Sequence, residues 1–507
     1  IGSLILLIAC INFINLSIGR SFTRSHEIGL RKTLGALRWH VVGQLWVEAL
    51  FICLIALLVS AVACYLLLPH YTQLFGMKVR RDLLLSPGVW LAVLGCFVLV
   101  TCIAGGYPAW LIARVNIIQI LKGRFSIRRS QKIRNSLIVV QFSIAVLLMI
   151  CTFVSWQQIN YLREKPLGYN RNQVISVPLE SDQDPNDLLK QLRQKIGGYP
   201  AVESISGIYN NLGRGTDGSS RHSNIGFDYK NRTVSTTWLG VSHDFVKTLD
   251  LTLVAGRDFS RDLPTDSNAV VINEAMAREL GEASVVGTQL PVHDSAPPMT
   301  VIGVVKDFNY ESLHQKIGPV SFVLEKDFGV HYALIKVRPQ NLPASMELVR
   351  AAWKQLLPNA EFKGSFLDEN IDRQYRREEK MGQIFISGAV IAIVLSCMGL
   401  LAMVLLIVTQ RVKEIGIRKV LGASVPHIVS LISKDFIWLI LLAFLIAAPL
   451  GWWGMREWLS HYAYRIELRW WVFGLAGVAA LLIAFLTICL QTVRAALSNP
   501  VKNLRTE

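Results

Sequence analysis

Glu27-Ile28-Gly29-Leu30-Arg31-Lys32-Thr33-Leu34-Gly35-Ala36 returns near the other end of the chain as Glu414-Ile415-Gly416-Ile417-Arg418-Lys419-Val420-Leu421-Gly422-Ala423. Eight of the ten positions are identical; Leu30/Ile417 and Thr33/Val420 differ. Each copy follows one apolar stretch and precedes two more. Each set of three closes on a similar tail, Asn116-Ile117 with Leu121-Lys122 and Asn499-Pro500 with Leu504-Arg505. The repeating unit is therefore span, short basic segment, span, loop, span, tail, and the chain carries it twice.

The copies have a physical reading as helices. Arg24, Glu27, Arg31 and Arg38 gather within one arc, and Glu27 precedes Arg31 by four, the favourable order for an ion pair. Leu30, Leu34, Leu37 and Val41 form an adjacent apolar stripe. The second copy repeats this with Glu414 and Arg418, and with Ile417, Leu421 and Ile428. The pattern predicts a short helix at the membrane surface, stripe towards lipid and charges towards cytosol. Gly35 and Gly422 then allow the turn into the next span. Basic residues here also serve topology. Topology fixes only the sign of charge, however, not the order Glu-Ile-Gly-x-Arg-Lys. Retained order points to a surface that docks the same kind of partner twice.

Hydrophobic residues make up 52% of the 507 and charged residues 17%, against about 25% charged in soluble chains. The apolar excess falls into blocks of about 20 residues, the length that crosses a bilayer as a helix. Seven spans are expected, at about 1–19, 41–69, 89–113, 136–158, 383–409, 429–454 and 469–491. One set of connecting segments is basic: Arg20 to Arg38, Arg114 to Arg134, Arg411 to Lys419, and Arg494 to Arg505. Alternate crossings put all of these on one face, which the positive-inside rule makes the cytoplasm. The 70–88 loop, the 159–382 segment and the 455–468 loop then lie outside, although Lys78, Arg80 and Arg81 run against the rule. The net charge of +16 is accounted for by these flanks. A nucleic-acid partner is not expected, because such sites gather basic residues on a soluble domain. Glu48, Lys434 and Asp435 read as interfacial, so no mid-span carboxylate suggests a proton-coupled carrier.

The segment 159–382 has soluble character. Short β-rich runs (173–177, 269–272, 300–305, 333–337) alternate with helical patterns at Asp187 to Ile196, Asn273 to Leu280 and Ser345 to Leu357. It reads as α+β. All eight cysteines lie in apolar blocks and none in this segment, so no disulfide framework supports it.

The E-I-G-[LI]-R-K-x-L-G-A segment after a span resembles the signature of the FtsX-like permease domain, a family that includes the MacB, LolC/LolE and FtsX proteins. The resemblance implies that each copy is a coupling helix contacting an ATPase subunit, with Glu27, Arg31, Lys32 and Gly35 in the first and Glu414, Arg418, Lys419 and Gly422 in the second. The 159–382 segment resembles the periplasmic core domain of MacB-type permeases. It does so through Gly168-Tyr169-Asn170, Val241-Ser242-His243-Asp244-Phe245, Ala255-Gly256-Arg257-Asp258-Phe259, Val271-Ile272-Asn273-Glu274 and Ile302 to Phe308. The fold implied is an α-helical membrane bundle of two FtsX-like permease units with an α+β extracytoplasmic domain. Its parts are a first unit at 1–135, a span at 136–158, the outer domain at 159–382 and a second unit at 383–507. The chain opens at Ile1 inside an apolar run, with neither an initiator Met nor a charged leader. It therefore reads as lacking an N-terminal part, expected to hold an eighth span.

No G-x-x-x-x-G-K-[ST] occurs, and Gly213 to Gly218, without a lysine, reads as a loop. The resemblance thus implies a permease that is not itself an enzyme, served by a separate ABC ATPase subunit, as a dimer, in the bacterial inner membrane. Its further partners would be membrane lipids and a periplasmic adaptor or hydrolase. Export or extraction of a hydrophobic or peptide substrate by mechanotransmission is the first expectation. An FtsX-like regulator of a cell-wall hydrolase and an antimicrobial-peptide sensor are the alternatives. His243-Asp244 and His293-Asp294-Ser295 are the nearest approach to a catalytic set, and no G-x-S-x-G or H-E-x-x-H accompanies them. Neither metal nor cofactor is expected, since His222, His314 and His331 lack ligand spacing.

Overall fold

In hydrocarbon only a helix satisfies every backbone N–H and C=O of an isolated segment, and the apolar blocks fold accordingly. The computed structural model describes residues 1–23, 27, 30–31, 33–75, 86–113, 127–218, 223–292, 297–325, 329–410 and 412–497. It divides into two units. One comprises Ile1–Trp156, Lys380–Glu457 and Glu467–Glu507; the other comprises Gln157–Glu379 and Trp458–Ile466.

The chain begins with α1 (Gly2–Thr23), α2 (Arg38–Phe75) and α3 (Pro87–Val100). A π-helical turn, Thr101–Gly106, leads into α4 (Tyr107–Ala113), and α5 runs over Ile127–Glu164. Pro108 accounts for the widened turn: it has no N–H for the carbonyl four residues back, and its ring crowds that carbonyl. At Gly105 a Cβ would stand 2.6 Å from that of Ala49, so α2 approaches too closely there for any side chain. After the outer domain come α11 (Arg376–Gln410), α12 (Val412–Val420), α13 (Val425–Ser460) and α14 (Trp470–Leu497), the numbers α6 to α10 belonging to that domain.

Six helices among the described residues are long and apolar enough to cross a membrane, and α1 adds the shorter apolar stretch Gly2–Ile18. The most enclosed is α5, with 61% of its apolar window buried. Its Ile138, Val139 and Phe142 pack with Leu400, Val404 and Ile432 of α11 and α13. Ile144, Ala145 and Leu148 meet Ile8 of α1 and Ala392 of α11. A polar seam crosses this bundle. Asn12 and Gln141 both donate from their carboxamides to the Leu395 carbonyl, at 2.6 and 3.2 Å. Gly399 makes room for it, since its Cβ would fall 2.0 Å from Asn12 Oδ1. Within hydrocarbon such carboxamides associate helices, because lipid offers them no partner.

The other unit carries a mixed sheet, flanked by short helices. Its elements are β1 (Val174–Pro178), α6 (Pro185–Ile196), β2 (Val202–Ile208), β3 (Ser223–Tyr229), β4 (Arg232–Val241), α7 (Phe245–Thr248), β5 (Leu253–Gly256) and β6 (Ala269–Asn273). They continue as α8 (Glu274–Leu280), β7 (Gln289–Leu290), β8 (Met299–Val305), β9 (Val320–Leu324), β10 (Tyr332–Val337), α9 (Leu342–Leu356), β11 (Ser365–Phe366) and α10 (Leu367–Gln374). The strand order is β11-β1-β10-β2-β4-β9-β6-β8-β5, with β3 on β4 and β7 on β8. β4–β9 and β6–β8 pair parallel and the remaining neighbours antiparallel. The four β-rich runs of the sequence are β1, β6, β8 and β10. They are apolar on both faces because both faces are covered. Leu188, Leu192 and Trp353 of α6 and α9 pack on Ile175 and Ile335, while Phe245 and Phe308 pack on Val241 and Phe322.

Candidate functional site

The second copy of the repeat is α12 and the turn after it. Arg418 Nη2 lies 2.8 Å from Glu414 Oε1, the i,i+4 pair expected from spacing. Gly422 takes φ +91°, and the Ala423 N–H donates to the Arg418 carbonyl at 2.9 Å. A positive-φ glycine with a hydrogen bond spanning six residues is a Schellman cap, which turns the chain sharply out of the helix. Ser424 then begins the next helix, its carbonyl accepting from the Ile428 N–H.

The first copy repeats this geometry in its described residues, which exclude Lys32. Arg31 Nη2 lies 2.7 Å from Glu27 Oε1; Gly35 takes φ +94°; the Ala36 N–H donates to the Arg31 carbonyl at 3.0 Å. Leu34 and Leu421, equivalent residues before the two glycines, are 79% and 80% exposed. Leu30, Leu37 and Ile417 are exposed beside them.

The apolar stripe differs from its sequence reading at one end. Val41 and Ile428, taken as its last members, are 6% and 2% exposed. They lie beyond the glycine turn, on α2 and α13, where the new helix direction points them inward. The outward face of each segment is thus shorter, ending at Leu37 in the first copy and Leu421 in the second.

The copies are anchored differently. In the first, Arg31 also donates through Nη1 to Gln44 Oε1 at 2.5 Å, and Gln44 donates to Glu48 at 3.5 Å. In the second, Ile415, Ala423 and Val425 pack against a cluster containing Ile428, Ile432 and Val404. Gln44 was not singled out by the sequence reading. The signal available was only its position, thirteen residues after Arg31 across a turn.

The outer-domain motifs form structural joints. Asn273 is fully buried. Its carboxamide donates to Asp307 Oδ1 and the Gly318 carbonyl, and accepts from the N–H groups of Met276 and Val320. Asp307 in turn accepts from the Ala275 N–H and pairs with Arg278 at 2.5 Å. Val271-Ile272-Asn273-Glu274 and Ile302 to Phe308 are therefore two halves of one knot. Arg257 grips Asp266 with both nitrogens, at 2.7 and 2.6 Å. The Arg257 guanidinium holds the Asp266 carboxyl below the usual carboxylate range. Gly256, at φ +74°, admits the Ile302 carbonyl where a Cβ would stand 2.1 Å away.

Among the described residues, His243-Asp244 is not joined by a nucleophile or a third triad member. Asp244 occupies a left-handed backbone position before α7 and pairs with Arg261. Burial holds the His243 imidazole below its ordinary pKa, with Arg261 adding to the effect. His293, Asp294, Ser295 and His222 lie outside the described residues. Among the described residues no group of three or more His, Cys, Asp or Glu could hold a metal. The Gly213 to Gly218 loop is tied down: the Arg214 N–H donates to Asn370 O, and Tyr332 donates to Asp217.

His314, which lacked ligand spacing, has a different place. Within the outer unit the segment Trp458–Ile466 packs on it: the Tyr462 ring lies 4.5 Å from the imidazole, and the Ala463 N–H donates to the His314 carbonyl. Ser312 Oγ is 2.6 Å from Nδ1, and Glu378 faces Nε2 at 3.4 Å. Burial pushes the Tyr462 phenol up to about 12. Gln158 closes the joint, donating to Tyr464 O and accepting from the Ile466 N–H.

The family model described as FtsX-like permease C-terminal matches residues 1–117 and 386–500, and that described as MacB-like periplasmic core domain matches residues 136–356. The macrolide export ATP-binding/permease protein MacB of Chromobacterium violaceum is 27% identical over 292 residues, 55% of this chain and 45% of that protein. The protein of the same name from Escherichia coli (strain K12) is 27% identical over 279 residues, 52% and 41% respectively. The chain spans less than half the length of these curated relatives. Among solved structures, the periplasmic region of MacB from Actinobacillus actinomycetemcomitans aligns with a TM-score of 0.30 and 13% identity, covering 40% of this chain and 92% of that one. The chain is a multi-pass membrane protein built of FtsX-like permease domains and a MacB-like periplasmic core domain.

Proposed function

We propose that this chain is the permease subunit of an ATP-driven ABC transporter of the bacterial inner membrane, working by mechanotransmission. Two ATPase subunits close on ATP in the cytosol and press on the segments around Glu27–Gly35 and Glu414–Gly422. The attached spans carry that motion to the outer domain, which handles a hydrophobic or peptide substrate at the outer side. Glu27, Arg31 and Lys32, with Glu414, Arg418 and Lys419, shape the docked surface; Gly35 and Gly422 turn it into the spans.

The observation that carries this reading is the duplicated geometry. Two segments 387 residues apart, Glu27 to Glu414, keep the same ion pair, glycine cap and exposed leucine. Exposed apolar residues rimmed by charge mark interaction surfaces. Two closely similar surfaces suit a dimeric motor with two identical sockets. A ligand-driven change needs contacts that differ between the nucleotide states, and paired arginines beside leucines can supply them. The relatives' names, which include both ATP binding and permease, support the same class. The Trp458–Ile466 joint on His314 gives a span-flanking segment a firm hold within the outer unit.

The test uses the full chain with whatever Walker-motif ATPase co-purifies from its own host. Arg31→Glu with Arg418→Glu should abolish stimulation of that ATPase while the protein still inserts and stays monodisperse. Normal stimulation in the double variant, or no ATPase at all with intact wild-type protein, would overturn the reading.

A further inference from the structure

The membrane unit carries an open groove of about 400 Å³ between α13 and α14, lined by Leu445, Ala448, Pro449, Trp452, Trp470 and Phe473. Its origin is local. Gly477 lets α14 come so close that its Cβ would stand 2.8 Å from the Phe444 ring. Outward of that contact Pro449 lies within α13. It supplies no N–H to the Leu445 carbonyl, and the groove opens along this stretch. Trp452 is eight residues before the end of α13, roughly 12 Å along the axis. With Trp453, Trp470 and Trp471 it forms an aromatic belt of the kind that sits at headgroup level. The groove therefore meets the membrane at and below that level, where an apolar-walled opening is filled by hydrocarbon chains and not by water.

We propose that this groove binds one acyl chain of an anionic phospholipid from the extracytoplasmic leaflet. The headgroup preference comes from its rim. The Arg456 guanidinium lies over the Trp452 ring, 5.1 Å from its centroid, which holds a cation directly above the opening. Arg469 stands between Leu468 and Trp470, both lining residues. One arginine held at the wall of an apolar slot, with a second next to lining residues in sequence, matches a phosphate ester attached to a chain. The site makes no use of an ATPase and stands apart from the transport reading.

The full chain, incorporated into vesicles of equal phosphatidylglycerol and phosphatidylcholine and released in mild detergent, is weighed by native mass spectrometry. Wild type should retain one phospholipid per chain, with phosphatidylglycerol favoured by about fivefold for each rim arginine. Arg456→Gln should lower that preference by about fivefold and leave retention intact. Ala448→Trp should fill the slot and release the lipid. Absence of retained lipid in wild type, or equal retention of the two headgroups, overturns the proposal without recourse to a variant. So does phosphatidylglycerol retention that is unchanged in both variants, which is what lipid held by the basic cytoplasmic segments would give.

Discussion

The two copies of the ten-residue repeat differ at two positions in sequence, yet they are fastened by different chemistry. The first is tied through a charge-assisted hydrogen bond from Arg31 to Gln44 on the following span. In the second, position 431 is a leucine, and the segment is fastened by apolar packing of Ile415 near Ile428 and Ile432. The ion pair, the glycine cap and the exposed leucine are common to both copies; the contact made at position 44 is not available at position 431. A surface that docks a common partner constrains the outward residues, whereas each segment's inner contacts need only suit its own neighbours. The proposed docking surface can thus be tested apart from the contacts that anchor each copy.

The largest effect should come from breaking an apolar anchor. Val41 and Ile428 are equivalent, each the inward residue at the start of the span after the glycine turn. Ile428→Ala leaves a cavity in a close-packed cluster and should cost about 3 kcal/mol. Val41→Ala removes a smaller group and should cost about 2 kcal/mol. Thermal unfolding in a fixed detergent would compare them. A larger loss at Val41 than at Ile428 would mean that the second copy is not held mainly by packing.

A middle-sized effect should come from the polar tether. Gln44→Leu gives the first copy the residue of the second and removes the acceptor of Arg31 Nη1. Arg31 keeps Glu27 and remains in contact with water, so the loss should be about 1 kcal/mol. Limited proteolysis near residues 27–36 should quicken while cleavage near 414–423 stays unchanged. Equal quickening at both sites would show that the copies are coupled and would break the comparison.

Much of the fold was legible because it rests on local pattern. The apolar blocks, the repeat, and the strands at β1, β6, β8 and β10 are each stated by neighbouring residues, and i,i+4 spacing alone gave both ion pairs. The stripe failed at Val41 and Ile428 because helical periodicity was carried across Gly35 and Gly422, where the axis changes direction. The Asn12–Leu395–Gln141 seam was illegible for another reason. Asn12 finds its acceptor 383 residues away, and only the missing side chain of Gly399 makes room for it. His314 likewise lacked ligand spacing, since its partners come from Glu378 and from Tyr462 in a distant loop. The outer-domain motifs could be found in sequence, but their reason could not: Asn273 and Asp307 explain each other only once β6 and β8 lie side by side.

The smallest expected effect is the most discriminating. Glu27 and Arg31 are each about half exposed, and Glu414 and Arg418 nearly so. An exposed i,i+4 pair contributes only about 0.3–0.5 kcal/mol, and less in salt. Glu27→Gln and Glu414→Gln should therefore leave thermal stability within about 0.5 kcal/mol of wild type. If these carboxylates only served their own helices, nothing else should change. If instead they orient Arg31 and Arg418 for a docked partner, each substitution should weaken stimulation of the co-purified ATPase far beyond its effect on stability. The first copy should suffer less, because Gln44 still holds Arg31 in place, whereas among the hydrogen bonds described for Arg418 only Glu414 fixes its side chain. Equal losses at the two copies would mean that the Gln44 tether does not position Arg31, and that the two surfaces are equivalent in use.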